Sequence, residues 1–273
     1  MEKTILITGA TDGIGLETAR VLASGDHHIL LHGRNPARLK ATHEALSTLT
    51  PDTTIDIVEA DLSRLDAVEE MAAYITRHYD RLDVLINNAG VYRSTPVRTV
   101  DGLDIRFAVN TIAPYLLTNR LLPLLGPTAR VLNVSSAAQS PVHLEALSGA
   151  IELSDGHAYA QSKLALTMWS VQMGRTVAES GPMVLAINPG SMLGSKMVKE
   201  AFGVDGADIG IGADILCRGA LSDEFAHATG QYYDNDRGTF ASPHPDALDE
   251  TKSKRLTQRI EEIVTRKPGA LRR

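Results

Sequence analysis

Thr4-Ile5-Leu6-Ile7-Thr8-Gly9-Ala10-Thr11-Asp12-Gly13-Ile14-Gly15 reads as a strand, a glycine-rich turn and the start of a helix. Residues 4–8 form a short run that is rich in β-branched side chains, which is typical of a buried parallel strand. The glycines have the spacing G-x-x-x-G-x-G. They allow close approach to phosphates, and the helix N-terminus adds free N–H groups. Glycines also end strands for ordinary reasons. The predicted pyrophosphate-binding residues are Gly9, Thr11, Asp12, Gly13, Ile14 and Gly15.

Strands and helices alternate along the rest of the chain. The apolar patterns predict further strands at 28–32, 54–58, 82–86, 129–134, 183–187 and about 231–233. They predict helices at 36–49, 65–79, about 102–125, around 159, at 209–222 and in a tail at about 246–266. This alternation indicates an α/β fold with one doubly wound parallel sheet and helices on both faces. Residues 191–208 have glycines and little periodicity, which predicts a mobile loop over a site.

Composition excludes several classes of function. The chain has a net charge of −6, is 43% apolar and 22% charged, and has no basic block, so we expect no nucleic-acid or membrane partner. Cys217 is the single cysteine, which fits a reducing compartment, and no signal-like segment precedes the first strand. We therefore expect a cytoplasmic protein. The nine histidines form no metal-binding motif, and we expect no metal site.

The second predicted strand ends in Gly33-Arg34, where dinucleotide folds commonly place an acid that holds a ribose 2′-hydroxyl. A guanidinium can pair with a 2′-phosphate, whereas a carboxylate would repel one. Arg34 therefore favours NADP(H), with NAD(H) as the weaker option. The alternative interpretation is a surface arginine in a loop. Asp12 opposes the preference because it places a negative charge near the phosphates.

Three later strand ends carry small or polar residues where doubly wound sheets bind ligands. Asp61 could reach an adenine or cap a neighbouring turn, and both interpretations stay open. The other candidates are Leu62, Asn88, Ala89, Gly90, Pro189 and Gly190. Small residues admit a flat ligand, although a simple turn also explains them.

Tyr159 and Lys163 are four residues apart, so on a helix they share one face. A cation beside the phenol favours the phenolate and brings proton exchange nearer neutral pH. A Tyr–Lys pair on a solvated face is the alternative. A second apolar set, Trp169, Met173 and Val177, requires another partner, for which a second subunit is a candidate.

Together these pieces resemble the short-chain dehydrogenases/reductases from end to end. The matching residues are 8–15, Asp61-Leu62, Asn87-Asn88-Ala89-Gly90, Asn110, Ser136, Tyr159 with Lys163, and Asn188-Pro189-Gly190. The resemblance implies one NAD(P)-binding Rossmann-type domain over residues 1–273, with a substrate loop at about 191–208. It implies hydride transfer between a nicotinamide and a carbonyl or alcohol carbon.

The resemblance also implies roles for four side chains. Tyr159 acts as general acid/base, and Lys163 holds the nicotinamide ribose and keeps Tyr159 acidic. Ser136 donates a hydrogen bond to the substrate oxygen, with Ser135 as its competitor, and Asn110 positions a water that relays protons to Lys163.

The chain resembles the retinol-dehydrogenase-like branch through Gly33-Arg34, the separation of 23 positions from Ser136 to Tyr159, and the tail around 247–256. Aromatic residues are only 4% of the chain, which does not suggest a retinoid pocket. A regulatory cofactor-binding protein and an epimerase or dehydratase on the same scaffold remain alternatives, and a homodimer or homotetramer is compatible with the pattern. The expected pocket residues are Val91, Tyr92, Gln139, His143, Met192, Met197 and Phe202.

Overall fold

Eight strands form one sheet in the computed structural model, which describes residues 2–265. The strands are β1 (Thr4–Ile7), β2 (His28–Gly33), β3 (Ile55–Glu59), β4 (Val84–Asn87), β5 (Arg130–Val134), β6 (Met183–Asn188), β7 (Tyr232–Asp234) and β8 (Thr239–Phe240). Their order across the sheet is β3-β2-β1-β4-β5-β6-β7-β8. All neighbours are parallel except β7 and β8.

Helices cover both faces of this sheet, as predicted. The helices are α1 (Gly13–Ala23), α2 (Pro36–Leu49), α3 (Leu65–His78), α4 (Ile105–Phe107), α5 (Ala113–Leu121), α6 (Leu144–Leu147), α7 (Asp155–Val177), α8 (Lys196–Phe202), α9 (Gly210–Leu221), α10 (Pro245–Leu248) and α11 (Glu250–Val264). The core of one face includes α1, α2 and α9, and that of the other includes α3 and α5. The doubly wound α/β fold is confirmed.

Strand alternation divides the core between the two faces. Ile5 and Ile7 of β1 point into the α1–α2–α9 layer, while Leu6 points into the α3–α5 layer. The register pairs Ile5 with Val84 and Leu6 with Leu85, so β4 repeats the same alternation. Because the strands are buried on both faces, their sequences read as continuous apolar runs.

The topology reverses between β1 and β4. From β1 the chain winds outward through β2 to the edge strand β3, then returns to place β4 on the other side of β1. Connecting loops at such a reversal diverge, which opens a crevice at the carboxyl ends of the strands. The turns after β1 and β4 therefore meet at the place where a ligand is expected.

Three regions differ from the sequence-based predictions. The helical region at about 102–125 is interrupted by a π-helical segment, Ala108–Ile112, and it ends in a 3₁₀ turn, Leu122–Leu124. The segment 191–208 contains the short helix α8, which Ser195 caps and which ends at Gly203 in the left-handed conformation. The sheet is not wholly parallel, because β8 pairs antiparallel to β7.

The second apolar face of α7 is covered by the chain itself. Trp169 is fully buried and meets Tyr115 of α5 edge-on, with ring centroids 5.6 Å apart. Leu256 and Ile260 of α11 pack in the same cluster. This face therefore needs no second subunit. Within residues 2–265 no helix is long and apolar enough to cross a membrane, and residue 266 of the predicted tail lies outside the described residues.

Candidate active site

A cleft of about 640 Å³ lies at the reversal between β1 and β4. Its floor is formed by the turns that follow these two strands. Asn88 donates from its side-chain amide to the carbonyls of Thr8, at 2.9 Å, and Gly9, at 3.2 Å. The Thr8 hydroxyl accepts from the backbone N–H groups of Asn88 and Ala89, at 3.0 and 3.1 Å. These bonds fix the two turns against each other.

The glycines of the first turn make this contact sterically feasible. Gly9 has φ +67°, and a Cβ there would lie 2.9 Å from the Cα of Ala89. At Gly15 a Cβ would lie 2.3 Å from the Asn88 amide nitrogen. A side chain at either position would push the turns apart, so the glycine spacing serves close backbone approach.

His32 supports the glycine turn through two hydrogen bonds to the backbone. Its Nδ1 accepts from the Gly9 N–H at 3.1 Å, and its Nε2 donates to the Ala60 carbonyl at 3.1 Å. The imidazole is buried, and this burial lowers the pKa of His32 to about 4. A neutral imidazole with one donor and one acceptor satisfies both backbone groups.

Three charged groups meet where β2 ends. Asp12 caps α1 by accepting from the Gly13 N–H at 2.7 Å, and its other oxygen pairs with Arg38 at 2.9 Å. The exposed Arg34 guanidinium has no hydrogen bond or ion pair within residues 2–265, and it lines the cleft. A cation without a protein partner is therefore available to a bound anion, while Arg38 neutralises Asp12.

Asp61 and Leu62 lie on the cleft wall after β3. The Asp61 carboxylate accepts from the Ser63 N–H at 3.0 Å, which is the turn-capping role. Its position on the cleft leaves the second carboxylate oxygen available to a ligand, so the two interpretations of this residue are compatible.

Tyr159 and Lys163 both face the cleft from α7. The Lys163 Nζ lies 5.7 Å from the Tyr159 ring centroid and donates to the Val134 carbonyl at 2.7 Å. Burial without a carboxylate partner lowers the pKa of Lys163 to about 8. Burial also raises the pKa of Tyr159, although a hydrogen bond with Ser136 acts in the opposite direction. In this structure the phenol is therefore the stable form.

The two candidate serines differ in their contacts. The Ser135 hydroxyl is buried and bonds to Thr167 Oγ1 at 2.7 Å and to the Lys163 carbonyl at 3.3 Å. Ser136 is on the Tyr159 side, and its oxygen accepts from the Ala138 N–H at 3.1 Å. Ser135 thus fastens β5 to α7, and Ser136 is the hydroxyl placed beside the phenol.

Asn110 lies in the π-helical segment and is almost fully buried. Its side-chain oxygen accepts from the Val91 N–H at 2.8 Å, and its amide donates to the Val91 carbonyl and to Ser162 Oγ, both at 3.0 Å. Local π-helical turns frequently mark functional sites. Here Asn110 joins the segment after Gly90 to α7.

Most predicted site residues line the cleft. They are Gly9, Thr11, Asp12, Gly13, Ile14, Arg34, Asp61, Leu62, Asn88, Ala89, Gly90, Ser136, Tyr159, Lys163, Pro189 and Gly190. Gly15 and Asn110 lie behind the wall. Of the expected pocket residues, Gln139 and His143 are outside the cleft, because the Gln139 amide turns back to the Ser136 carbonyl and His143 pairs through its backbone with Gln161.

Residues 3–205 match the family described as short chain dehydrogenase. The chain belongs to the short-chain dehydrogenase family. Human retinol dehydrogenase 13 is 31% identical over 93% of this chain and 82% of its own length. The chloroplastic short-chain dehydrogenase TIC 32 A of Brassica napus is 31% identical over 93% and 86%. The chain is an oxidoreductase of this family, and the resemblance to the retinol-dehydrogenase-like branch is confirmed.

Solved structures of the family share the fold. A protein from Mycobacterium paratuberculosis, described as uncharacterized, superposes with a TM-score of 0.79 at 27% identity, covering 97% of this chain and 94% of that one. A chain from Shigella flexneri, described as a short chain dehydrogenase complexed with NADP, gives a TM-score of 0.67 at 26% identity and covers 86% and 97%.

Several contributors to the site were not recognised in the sequence. His32 directly precedes Gly33-Arg34, and a histidine at the end of a buried strand is a signal that could have drawn attention. Arg106 is only 1% exposed and pairs with Asp104 and with Asp155, the first residue of α7. The sequence around Arg106 does not distinguish it from a solvent-exposed arginine, so only the fold identifies its pairing with these two carboxylates.

The buried, neutral imidazole of His32 predicts that the stability of the protein depends on pH. The folded-state pKa is lowered from 6.5 to about 4, so the unfolded chain binds the extra proton first as pH falls. The free energy of unfolding should therefore decrease between about pH 6.5 and pH 4, by up to about 3 kcal/mol from this group. Urea unfolding at several pH values measures the slope.

Two variants test the assignment to His32. His32→Gln should be less stable at pH 7 but should lose this part of the pH dependence. His227→Gln, at an exposed position, is the matched control and should keep it. A His32→Gln protein with the wild-type slope would contradict the prediction.

Proposed function

We propose that this oxidoreductase uses NADP(H) to interconvert a carbonyl compound and its alcohol, with Tyr159 exchanging the proton at the substrate oxygen. The observation that carries the proposal is the convergence of Tyr159, Ser136 and Lys163 on the cleft that ends at the glycine turn. A regulator that only binds cofactor has no need of this cluster of proton-handling groups, and the family's dehydrogenases favour the same choice.

The proton chemistry follows from the environment of the phenol. Because burial raises its pKa, Tyr159 is protonated near neutral pH and is suited to donate its proton as a carbonyl is reduced. The Ser136 hydroxyl, placed beside it, donates to the same substrate oxygen as negative charge develops. When bound, the nicotinamide supplies or accepts the hydride. Lys163 carries the positive charge that stabilises Tyr159 after proton loss.

A proton route from Asn110 to Lys163 is part of the proposal. The Asn110 side-chain oxygen and the Lys163 Nζ flank Gly90, since a Cβ built there would lie 3.6 and 3.5 Å from them. The Asn110 amide donates to the Val91 carbonyl and to Ser162 Oγ, and these bonds hold the side-chain oxygen, which accepts from the Val91 N–H, beside Gly90. A water held there would connect the buried amine to the cleft.

The residues around the cleft fit a dinucleotide with an extra phosphate. Gly9 and Gly15 of the glycine turn leave no room for side chains, which suits an approaching pyrophosphate, and Arg34 is a cation with no protein partner in residues 2–265. We assign Arg34 to the 2′-phosphate. Arg38 supports it indirectly, because its bond to Asp12 removes the nearby negative charge.

The remaining assignments extend this proposal. Residues 2–265 belong to one NAD(P)-binding domain, with the segment 191–208 as its substrate loop and residues 246–265 as its C-terminal tail; residues 1 and 266–273 of the predicted domain lie outside the described residues. Met192, Met197 and Phe202 of the loop face the cleft, so we propose a substrate of mixed polarity and small or medium size. We propose a cytoplasmic protein because the sequence has a single cysteine and no membrane-length apolar run. The homodimer or homotetramer stays a prediction that light scattering would measure, since α5 and α11 cover the face of α7 that suggested a second subunit.

Removing the proposed proton donor is the most direct test. Tyr159→Phe should reduce kcat by at least about a hundredfold, because general acid catalysis is commonly worth ~10²–10⁴. Its NADPH dissociation constant should change little, since the ring remains. NADPH oxidation with a carbonyl panel and a fluorescence titration measure the two quantities. Activity above about a hundredth of wild type would remove Tyr159 from the role.

Cofactor preference tests Arg34. A charge-assisted hydrogen bond contributes ~1.5–3 kcal/mol, or roughly a 10- to 150-fold preference for NADP over NAD, and exposure favours the low end. Arg34→Ala should erase most of this ratio and leave NAD binding nearly unchanged. Arg255→Ala, an exposed arginine on α11, is the control. Equal wild-type dissociation constants for the two cofactors would refute the assignment.

Hydrogen exchange tests the loop. Amides in 191–208 should exchange faster in the free protein than when NADP and a competitive inhibitor are bound. The α9 amides serve as the internal reference. Equal and strong protection of the loop in both states would show that it does not close on ligands.

A further inference from the structure

Tyr92 and Arg93 are adjacent residues that each contact both the loop helix α8 and the catalytic helix α7. Neither belongs to the glycine turn or to the proton-handling group. They follow Gly90 and Val91, so the turn after β4 leads directly into them. Two consecutive side chains that join the same two helices by different interactions form a physical connection between loop and catalytic residue.

Arg93 makes the polar half of the connection. Its Nη1 donates to the Glu200 carbonyl at 3.0 Å, and its Nε lies 3.5 Å from the Asp155 carboxylate. Glu200 lies in the last turn of α8, where carbonyls lack helical partners and the dipole favours a cation. Asp155 is the first residue of α7. One guanidinium thus joins the end of one helix to the start of the other.

Asp155 is itself held in place. Buried Arg106 binds it and also forms a two-bond pair with Asp104, at 2.8 and 2.6 Å. Because Arg106 is almost inaccessible and fully paired, the carboxylate that Arg93 meets has a fixed position. The polar connection therefore runs from a rigid anchor to α8.

Tyr92 makes the apolar half. Its ring lies 5.0 Å from the Tyr159 ring and 5.5 Å from the Phe202 ring, tilted by 53° in both cases. Phe202 is the last residue of α8 and is 53% exposed, and the Tyr92 ring packs against it. Aromatic pairs at these separations are stabilising beyond the area they bury.

We propose that Arg93 is a positioning residue that holds α8 over the substrate end of the cleft, with Tyr92 as the surface on which Phe202 of α8 packs. Arg93 does not touch the proposed reacting groups. It acts by fixing α8, and thereby the loop residues that enclose the substrate. Only the catalytic consequence of this inference rests on the proposed function.

The first experiment needs no turnover. In the free protein, the amides of residues 196–202 should exchange about fivefold faster in Arg93→Gln than in wild type, the size expected for a partly exposed charge at a helix end. Arg93→Lys should retain part of the protection. Arg120→Gln, which breaks a comparably exposed pair between Arg120 of α5 and Glu69 of α3, is the matched control and should leave α8 unchanged. Wild-type exchange of α8 in Arg93→Gln would overturn the proposal.

A second pair of variants tests the aromatic half. Tyr92→Phe keeps the ring contacts and should leave α8 exchange as in wild type, whereas Tyr92→Leu should increase it. Equal α8 exchange in these two variants would also overturn the proposal, even if Arg93 variants folded poorly.

Kinetics then distinguishes positioning from a general loss of structure. Arg93→Gln should raise the substrate KM about fivefold, the same factor as in exchange, and leave the NADP dissociation constant within twofold. A parallel loss of both affinities would overturn the positioning role. A wild-type protein with no NADPH-dependent turnover would contradict the proposed function, while the exchange results would still decide the role of Arg93.

Discussion

Two backbone turns, one after β1 and one after β4, pack too closely to admit a side chain between them. Gly9 lies against Ala89, and the Asn88 amide bonds to the opposite turn. His32 supports this contact from one side and Thr8 from the other. If the turns separated, the floor of the cleft would widen and α1 would no longer start at the cleft. The dinucleotide site thus depends on a steric constraint more than on any single charge.

The two buried cations Arg106 and Lys163 differ in whether a carboxylate compensates their charge. Arg106 has two carboxylates and satisfied donors, so its charge is compensated and it anchors the start of α7. Lys163 has a backbone carbonyl at 2.7 Å and no carboxylate, and its pKa falls to about 8. An uncompensated buried charge is costly, which makes it an expected feature of a functional site. In the proposed mechanism the buried charge of Lys163 stabilises the Tyr159 phenolate, which offsets the free energy of burying that charge.

The parts of the fold that local chemistry determines could be predicted. Helix α2 was predicted from Pro36 to Leu49, as observed, because proline favours the first turn of a helix. In the structure Asn35 caps it. The parts that depend on distant packing could not. Helix α8 has little periodicity, and its position depends on Arg93 and Phe202, which contact residues far away in sequence. The β8 strand has only two residues and pairs at an edge, so its pattern is too short to read.

The candidate site shows the same division. Residues at strand ends were predicted because parallel strands end at one edge of the sheet, and 16 of the expected side chains or backbones line one cleft. The direction in which a flexible side chain points could not be predicted, since it depends on the acceptors nearby in the fold. Gln139 turns to the Ser136 carbonyl and leaves the pocket.

The charges at the end of β2 show why pairing must be known before a preference is argued. Taken from the sequence, Asp12 opposes a phosphate. In the fold Asp12 pairs with Arg38 at 2.9 Å, so the two charges neutralise each other. The pair is held in place because Asn35 accepts from the Arg38 N–H at 3.0 Å and Asp12 caps α1. Both residues are therefore fixed at helix starts. Arg34 then remains as a positive charge without a protein partner among residues 2–265, at the strand end where a carboxylate would otherwise select a hydroxyl. Under the proposed assignment, the preference for an additional phosphate comes from this guanidinium and from a neighbouring acid that already has its partner.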